Sequence, residues 1–276
     1  MVEVILGGEA VAAGVVTRHQ LRTSYRVVYR GVYAANGREL TLRDRAIAAW
    51  LATRRKGVVA GVAASALHGA SWVDPAQPIE VAGVKCRPQD GLVPRTERIA
   101  DDEVTRVFGL PVTTVARTAF DVARHLDRPA ALARLDAMMW AQPFGVDDVR
   151  ALAKRYFRAP GSRQLRELLT LVDGGAGSPW QSRTRLRLID GGFPRPQTQI
   201  PVLAGGQPVD HLAIGWPEYR VAVEHGIKDV ARQRMLEALG WLVIRIAGED
   251  RPQDWLPKVE AALANRGCFV EITQAA

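Results

Sequence analysis

With 276 residues, 47% of them hydrophobic, the chain exceeds the roughly 250 residues at which single cores stop growing, so more than one domain is expected. No run approaches the roughly 20 apolar residues of a membrane span, no signal peptide pattern opens the chain, and two distant cysteines argue against a disulfide framework, so the sequence predicts a cytoplasmic protein. The net charge of +8 comes almost entirely from arginine, which suits phosphate and favours nucleic acid as a partner, although a GC-rich genome would also enrich arginine.

The first 40 residues follow the order helix, turn, helix and strand pair, which is the order of a short winged helix. Thr17 precedes "RHQLRT" and predicts a helix N-cap. The alternating run "YRVVYRGVYAA" ends at Asn36-Gly37, a dipeptide typical of turns. The sequence therefore predicts a truncated winged-helix-like module over residues 1–40, with little room for a separate recognition helix.

Four arginines mark this module as a candidate DNA-binding surface. Tyr25 and Tyr29 lie between them, and basic residues interleaved with aromatic side chains suit phosphate contact combined with groove or base contact. A solvated charged face is the alternative interpretation. The four residues are Arg18, Arg22, Arg26 and Arg30.

Residues 41–172 predict a mixed α/β region that ends in helices. Thr41 and Asp44 form a near capping box at the start of "TLRDRAIAAWLATRRKG". Strand patterns separated by Pro, Gly and Asp fill residues 78–112, and helical periodicity returns from "TTVARTAFDVARHL" onwards. In the next helix, "AALARLDAMMWA", the sequence Met138-Met139-Trp140 is expected to fill a core.

The stretch "DGGAGSP", residues 173–179, predicts a linker that opens a domain over residues 173–276. Its pattern of helix, three-stranded meander, helix, strand and helix is that of restriction-endonuclease-type α/β cores, so the predicted class of the whole chain is α/β (α+β). Ser178 and Gln181 predict a capping box on the first helix. Arg183 and Arg187, four residues apart, share a face of that helix and are further candidate DNA contacts.

Several segments of the chain resemble two known families. The segments "SPWQSRTRLRLIDGGFPRPQTQIPV", "GWPEYRVAVE" and "MLEALGWLVIRI" resemble a domain family related to very-short-patch-repair endonucleases, a branch of the PD-(D/E)XK fold. The segments "VYRGVYA", "RDRAIAAWLATRRKGVVAGVAASALHGA" and "GLPVTTVARTAFDVARHL" resemble AbiEi-type antitoxins of type IV toxin–antitoxin systems. The resemblances imply DNA and a cognate toxin as partners, and a magnesium-dependent DNA-cutting site in the C-terminal domain.

This chain departs from the endonuclease pattern at the metal ligands. The family's helix glutamate is Gln181 here, and its strand aspartate is Ala213. Asp210 lies three residues from Ala213, so the alternation of a strand points it to the opposite face unless a bulge intervenes. Of the family's motif only Glu224 survives, followed directly by His225. Since magnesium needs two or three carboxylates, the pattern indicates the remnant of a metal site.

We therefore expect a DNA-binding protein with a degenerate endonuclease-like domain, an antitoxin-like or regulatory role, and no cofactor. One alternative is a divergent magnesium-dependent endonuclease in which Asp210, Glu224 and His225 are catalytic and the two acids hold Mg²⁺. A second alternative is a protein-interaction scaffold whose positive charge reflects composition alone.

Overall fold

The computed structural model describes residues 4–226, 229–247 and 250–268. Within these residues the chain forms eleven α-helices and three β-sheets that are antiparallel or mixed, so the predicted α+β class is confirmed. Contacts divide the chain into two compact units, Met1–Thr170 and Leu171–Ala276. Among the described helices, none has the length and apolar character needed to cross a membrane.

The first unit opens with a three-stranded antiparallel sheet, in the order β1-β3-β2, and two six-residue helices. The hydroxyl of Thr17 accepts a hydrogen bond from the amide of Gln20, and the Gln20 side chain accepts one from the amide of Thr17, so the predicted N-cap is confirmed. The elements are β1 (Val4–Leu6), α1 (Gly7–Ala12), α2 (Arg18–Thr23), β2 (Tyr25–Tyr29) and β3 (Val32–Ala35).

The rest of this unit is a five-stranded mixed sheet, in the order β6-β5-β4-β8-β7, with helices around it. Val32 and Ala34 of the first sheet pack in the same core as Val59 and Ile79, so the regions that the sequence divides at residue 41 share one core. The elements are α3 (Leu42–Ala52), β4 (Val58–Ala60), α4 (Gly61–Leu67), β5 (Ile79–Ala82), β6 (Leu92–Pro94), β7 (Val104–Val107), β8 (Leu110–Thr113), α5 (Val115–His125), α6 (Arg128–Ala141), α7 (Val146–Arg155) and α8 (Ser162–Leu171), the last crossing into the second unit.

The residues Met138, Met139 and Trp140 near the end of α6 differ in burial. Met138 is buried, but the side chain of Trp140 is 56% exposed. The prediction of core filling is therefore wrong for Trp140, because consecutive helical residues point in directions about 100° apart.

The second unit has the predicted order of helix, three-stranded meander, helix, strand and helix. Its sheet has the order β12-β11-β10-β9, in which only β11 and β12 are parallel. Residues of α9 and α11 pack in one core cluster and Leu236 of α10 packs in another. The elements are α9 (Pro179–Asp190), β9 (Gln197–Ala204), β10 (Gln207–Trp216), β11 (Val221–His225), α10 (Val230–Ala238), β12 (Leu242–Ile246) and α11 (Pro252–Ala264).

The glycine-rich stretch before α9 is folded onto the second unit. The hydroxyl of Thr198 donates to both carboxylate oxygens of Asp173 at 3.1 Å, and the side-chain amide of Gln199 donates to the carbonyl oxygen of Gly175. A Cβ on Gly175 would lie 2.1 Å from the Thr198 hydroxyl oxygen, so only glycine fits there. The predicted domain boundary at residue 173 lies close to the division of the chain between Thr170 and Leu171, and Gly175 of the predicted linker packs against the second unit.

Candidate functional site

The exposed face of α2 carries unneutralised positive charge. Arg18 and Arg22 lie one helical turn apart and both are exposed. Within the described parts of the chain, neither guanidinium takes part in a hydrogen bond or an ion pair. Since the Thr17 capping box fixes the start of the helix, the two charges are presented on a defined scaffold.

Arg26 and Arg30 are also exposed, but they stand in different surroundings. The guanidinium of Arg26 donates to the carbonyl oxygen of Arg38 at 2.6 Å. Arg30 lies in the turn between β2 and β3, where its backbone amide donates to the side chain of Gln89. Tyr29 is only 4% exposed and its hydroxyl donates to a backbone carbonyl at 2.9 Å. The prediction that Tyr29 joins these arginines in contacting DNA is therefore wrong.

In the second unit, α9 presents two further arginines. Arg183 and Arg187 are exposed on one face of the helix, whereas Arg185 is buried and donates to the carbonyl oxygen of Leu171. The hydroxyl of Ser178 accepts from the amide of Gln181, which confirms the predicted N-cap.

The reciprocal hydrogen bond of the predicted capping box, from the amide of Ser178 to the side chain of Gln181, is absent from the described contacts of α9. The carbonyl of the Gln181 side chain accepts from the amide of Gly177 at 2.7 Å, one residue before the cap. Gln181 is thus engaged in local backbone structure.

Asp210 and Glu224 meet at a single cation, the guanidinium of Arg232 on α10. Nε of Arg232 donates to Oδ2 of Asp210 at 2.6 Å, and Nη1 and Nη2 donate to the two oxygens of Glu224 in a bidentate arrangement. Nη2 also donates to the carbonyl oxygen of His211 at 2.9 Å. Glu224 is buried and additionally accepts from the amide of Ala213 at 3.2 Å. The hydrogen bonds from Arg232 to Glu224 and then to Asp210 raise the pKa of the guanidinium.

Strand β10 is irregular just before Asp210, because its register with β9 shifts between Pro208 and Asp210. Leu212 packs in the cluster with Ala222 and Leu236, whereas Ile214, two residues on, packs in the cluster with Val223. The ladder between β10 and β11 begins only at Ile214. The expectation that Asp210 faces away from Glu224 is wrong, because both carboxylates bond to the guanidinium of Arg232.

His225 is placed apart from the two acids. Its ring contacts Trp180 of α9, with 4.7 Å between the ring centroids, and it is exposed. In the described contacts of Glu224, the partners are Arg232 and Ala213, so the structure does not bring His225 to the acid pair.

The residues at this position do not fit a resident divalent metal. Magnesium prefers several oxygen ligands with negative charge, and both available carboxylates already neutralise a guanidinium. The other two family positions are Ala213, which has no ligand atom in its side chain, and Gln181, which bonds to Gly177. Arg232 is the residue that sequence reasoning missed, because its partner Asp210 lies 22 residues earlier in the chain.

A second cluster of charged groups is buried in the first unit. Arg117 is almost fully buried and bonds to Asp121 at 3.0 Å and to Glu103. Arg124 bonds to Asp121 and also to Glu97, at 3.0 and 3.2 Å. Glu97, Asp121 and His125 stand close enough to share a metal ion, but the guanidinium of Arg124 supplies the positive charge there. We interpret the cluster as an internal ion-pair network.

This network predicts acid sensitivity. The hydrogen bond from His125, with the charges of His125 and Arg124, lowers the pKa of Glu97 from 4.5 to about 2 against the effect of burial. A lowered carboxyl pKa stabilises the folded state above about pH 4.5, and that stability is lost as the pH falls towards 2. Burial raises the pKa of Asp121, which acts in the opposite sense. We expect Glu97→Gln to flatten the fall of the thermal midpoint between pH 5 and 2.5.

The matched control for that pH series is Glu39→Gln, since Glu39 is exposed and makes no hydrogen bond or ion pair with the residues that the structure describes. The control should keep the acid sensitivity of the wild type. Identical pH profiles for wild type and Glu97→Gln would contradict the assignment.

Comparison with known proteins finds a known domain within the first unit and two relatives of the chain. Residues 57–171 match the AbiEi antitoxin C-terminal domain. Two relatives from Mycobacterium tuberculosis, uncharacterized protein MT2308 of strain CDC 1551 / Oshkosh and uncharacterized protein Rv2248 of strain ATCC 25618 / H37Rv, are each 31% identical over 238 residues, which cover 81% of this chain and 85% of the relative. The chain therefore belongs to the family of these mycobacterial proteins and carries an AbiEi antitoxin-like domain.

Proposed function

We propose that the protein is a DNA-binding, antitoxin-like regulator whose C-terminal unit resembles an endonuclease but does not cut DNA. The match to the AbiEi antitoxin C-terminal domain supports the antitoxin-like role, with a cognate toxin as the corresponding partner and the cytoplasm as its location. The observation that carries DNA binding is the pair of exposed, unneutralised arginines, Arg18 and Arg22, on a capped helix.

The proposed contacts are mainly to phosphate. Arginine forks bind phosphate oxygens well, and such contacts position a protein on DNA without reading its sequence. The helix α2 has only six residues, so it offers few positions from which side chains reach base edges. Arg183 and Arg187 on α9 would add phosphate contacts from the second unit.

Removing Arg18 and Arg22 tests this proposal. We expect Arg18→Ala/Arg22→Ala to weaken binding to a fluorescein-labelled 30-base-pair duplex about tenfold to thirtyfold at 0.15 M salt, because each lost phosphate contact removes about 0.9 from the slope of log affinity against log salt. Fluorescence anisotropy at several salt concentrations measures both quantities. The slope should fall by about 2.

The matched control is Arg163→Ala/Arg166→Ala, which removes two exposed arginines from α8. An equal loss in the control would mean that net charge alone drives binding. No binding at low salt by the wild type would favour the protein-interaction scaffold.

The absence of cleavage is proposed because Arg232 occupies the acid pair. The convergence of Asp210 and Glu224 is also the observation that favours the alternative, a divergent magnesium-dependent endonuclease. Incubation of supercoiled plasmid with the protein and Mg²⁺ or Mn²⁺ separates the two. Nicking that disappears in Glu224→Ala would establish the endonuclease, and intact plasmid alongside salt-sensitive DNA binding supports our proposal.

A further inference from the structure

The first unit carries an apolar groove beside β1, which we call the β1–α3 groove. It encloses about 550 Å³, within the range of about 300–1,000 Å³ typical of ligand sites. Buried Val4, Leu51 and Leu110 line it, together with Ile47 and Trp50 of α3. Within the described residues, β1 pairs only with β3, so its other edge has no strand partner.

A strained aromatic residue borders the groove. Val107 pairs with Leu110, and the two residues between them, Phe108 and Gly109, have φ angles of 49° and 82°. Asparagine and glycine are favoured in such a two-residue turn, whereas a bulky residue at positive φ costs about 1–3 kcal/mol. The side chain of Phe108 is 65% exposed, so internal packing does not offset this cost.

The charge at the groove is unbalanced. Arg55 forms a bidentate ion pair with Glu9, at 2.7 and 2.6 Å. Arg43 lies over the ring of Phe108, 4.5 Å from its centroid, and has no carboxylate partner among the residues that the structure describes. The groove therefore combines an aliphatic lining, an exposed aromatic ring and one unneutralised guanidinium.

We propose that the β1–α3 groove docks an acidic, apolar peptide segment of a partner protein. An apolar side chain of the segment packs between α3 and the ring of Phe108, and a neighbouring carboxylate pairs with Arg43. The segment lies extended along the edge of β1 that no described strand pairs with, where it would add a short strand.

The same features disfavour the other occupants. A second copy of this chain would bring an unneutralised Arg43 from each copy to one interface, which is repulsive. Nucleic acid would place phosphates near the Glu9 carboxylate, and apart from Trp50 and Phe108 the lining offers bases mainly aliphatic side chains, whereas base recognition depends on aromatic stacking. An acidic, apolar peptide complements both the apolar lining and the positive charge of Arg43.

Selection of a random 12-residue phage-displayed peptide library on the full-length protein tests the proposal without assuming a sequence. We expect enriched peptides that combine aromatic or aliphatic residues with Asp or Glu. Synthetic copies should lose at least tenfold in affinity for Phe108→Asn and for Arg43→Gln. Because asparagine suits the turn, Phe108→Asn should keep or raise the thermal midpoint, so lost binding cannot be ascribed to unfolding.

The chain offers a matched control in Phe157 and Arg158. Phe157 is 66% exposed and the guanidinium of Arg158 lies 5.1 Å from its ring centroid, so Phe157→Ala/Arg158→Gln removes a similar pair elsewhere in the first unit. This variant should bind the peptides normally, and Phe108→Asn should keep its affinity for DNA. No enrichment, enrichment of basic peptides, unchanged binding by Phe108→Asn, or a dimer in light scattering that Phe108→Asn dissociates would each overturn the proposal.

Discussion

Replacing Arg117 by methionine is expected to lower the free energy of unfolding of the first unit by about 3–5 kcal/mol, the usual cost of removing one partner from a buried ion pair. Arg117 is 1% exposed, and its guanidinium bonds to Glu103, Asp121 and the carbonyl oxygen of Arg98. Methionine fills much of the volume but leaves two buried carboxylates with less positive charge. Urea denaturation followed by circular dichroism measures the change.

The loss of stability in Arg117→Met depends on the hydrogen-bond and ion-pair partners that Glu103 and Asp121 keep. Glu103 keeps Arg155 and the hydroxyl of Tyr156, at 2.8 and 2.7 Å, and Asp121 keeps Arg124. Burial opposes ionisation of Glu103, yet hydrogen bonds from Tyr156 and Arg155 and the charge of Arg117 lower its pKa. We therefore expect Glu103 to remain ionised at neutral pH in the variant, and the full cost of a buried charge to fall mainly on Asp121.

The control is Arg166→Met on the exposed face of α8, which should change stability by less than about 0.5 kcal/mol. Arg117→Lys is the conservative variant. A lysine keeps the charge but lacks the planar fork, so it should recover only part of the loss. If Arg117→Met and Arg166→Met unfold at the same urea concentration, the network does not stabilise the fold.

Local sequence patterns predicted the elements better than the contacts between them. Caps such as Thr17, Thr41 and Ser178 act within three residues of the helix start, so their sequence patterns are sufficient to place the helices. The α+β order of the C-terminal unit followed from periodicity and turn residues in the same way.

What sequence could not predict depends on residues that are distant along the chain. Arg232 reaches back 22 residues to Asp210, and only the packing of α10 against the sheet brings them together. Tyr29 was assigned to a surface because neighbouring arginines are exposed, but its hydroxyl partner lies 62 residues away. The register shift in β10 between Pro208 and Asp210 did have a local signal, since proline within a strand marks an edge or a bulge.

Removing the Arg232 guanidinium is expected to turn the acid pair into a site that responds to divalent cations. In Arg232→Ala the carboxylates of Asp210 and Glu224 face one another without a cation, which should cost about 2–3 kcal/mol in a partly exposed setting. Mn²⁺ or Mg²⁺ at millimolar concentration should restore part of the thermal midpoint, since two carboxylates and the carbonyl oxygen of His211 supply oxygen ligands. The wild-type midpoint should not change with either ion.

Two further variants make this result specific. Arg234→Ala removes an exposed arginine from the same helix and should behave as the wild type, with or without the ions. Arg232→Ala/Glu224→Gln removes half of the negative charge and should abolish the rescue by Mn²⁺.

The outcome tests the proposal that the C-terminal unit does not cut DNA. A guanidinium bound to both acids gives the site the positive charge that a metal would otherwise supply, but it cannot coordinate and activate water as a metal ion does. If instead Mg²⁺ stabilises the wild type and Glu224→Gln removes that effect, Mg²⁺ displaces the guanidinium from the carboxylates. The endonuclease hypothesis would then be supported. Stabilisation confined to Arg232→Ala means that the arginine has replaced the ion.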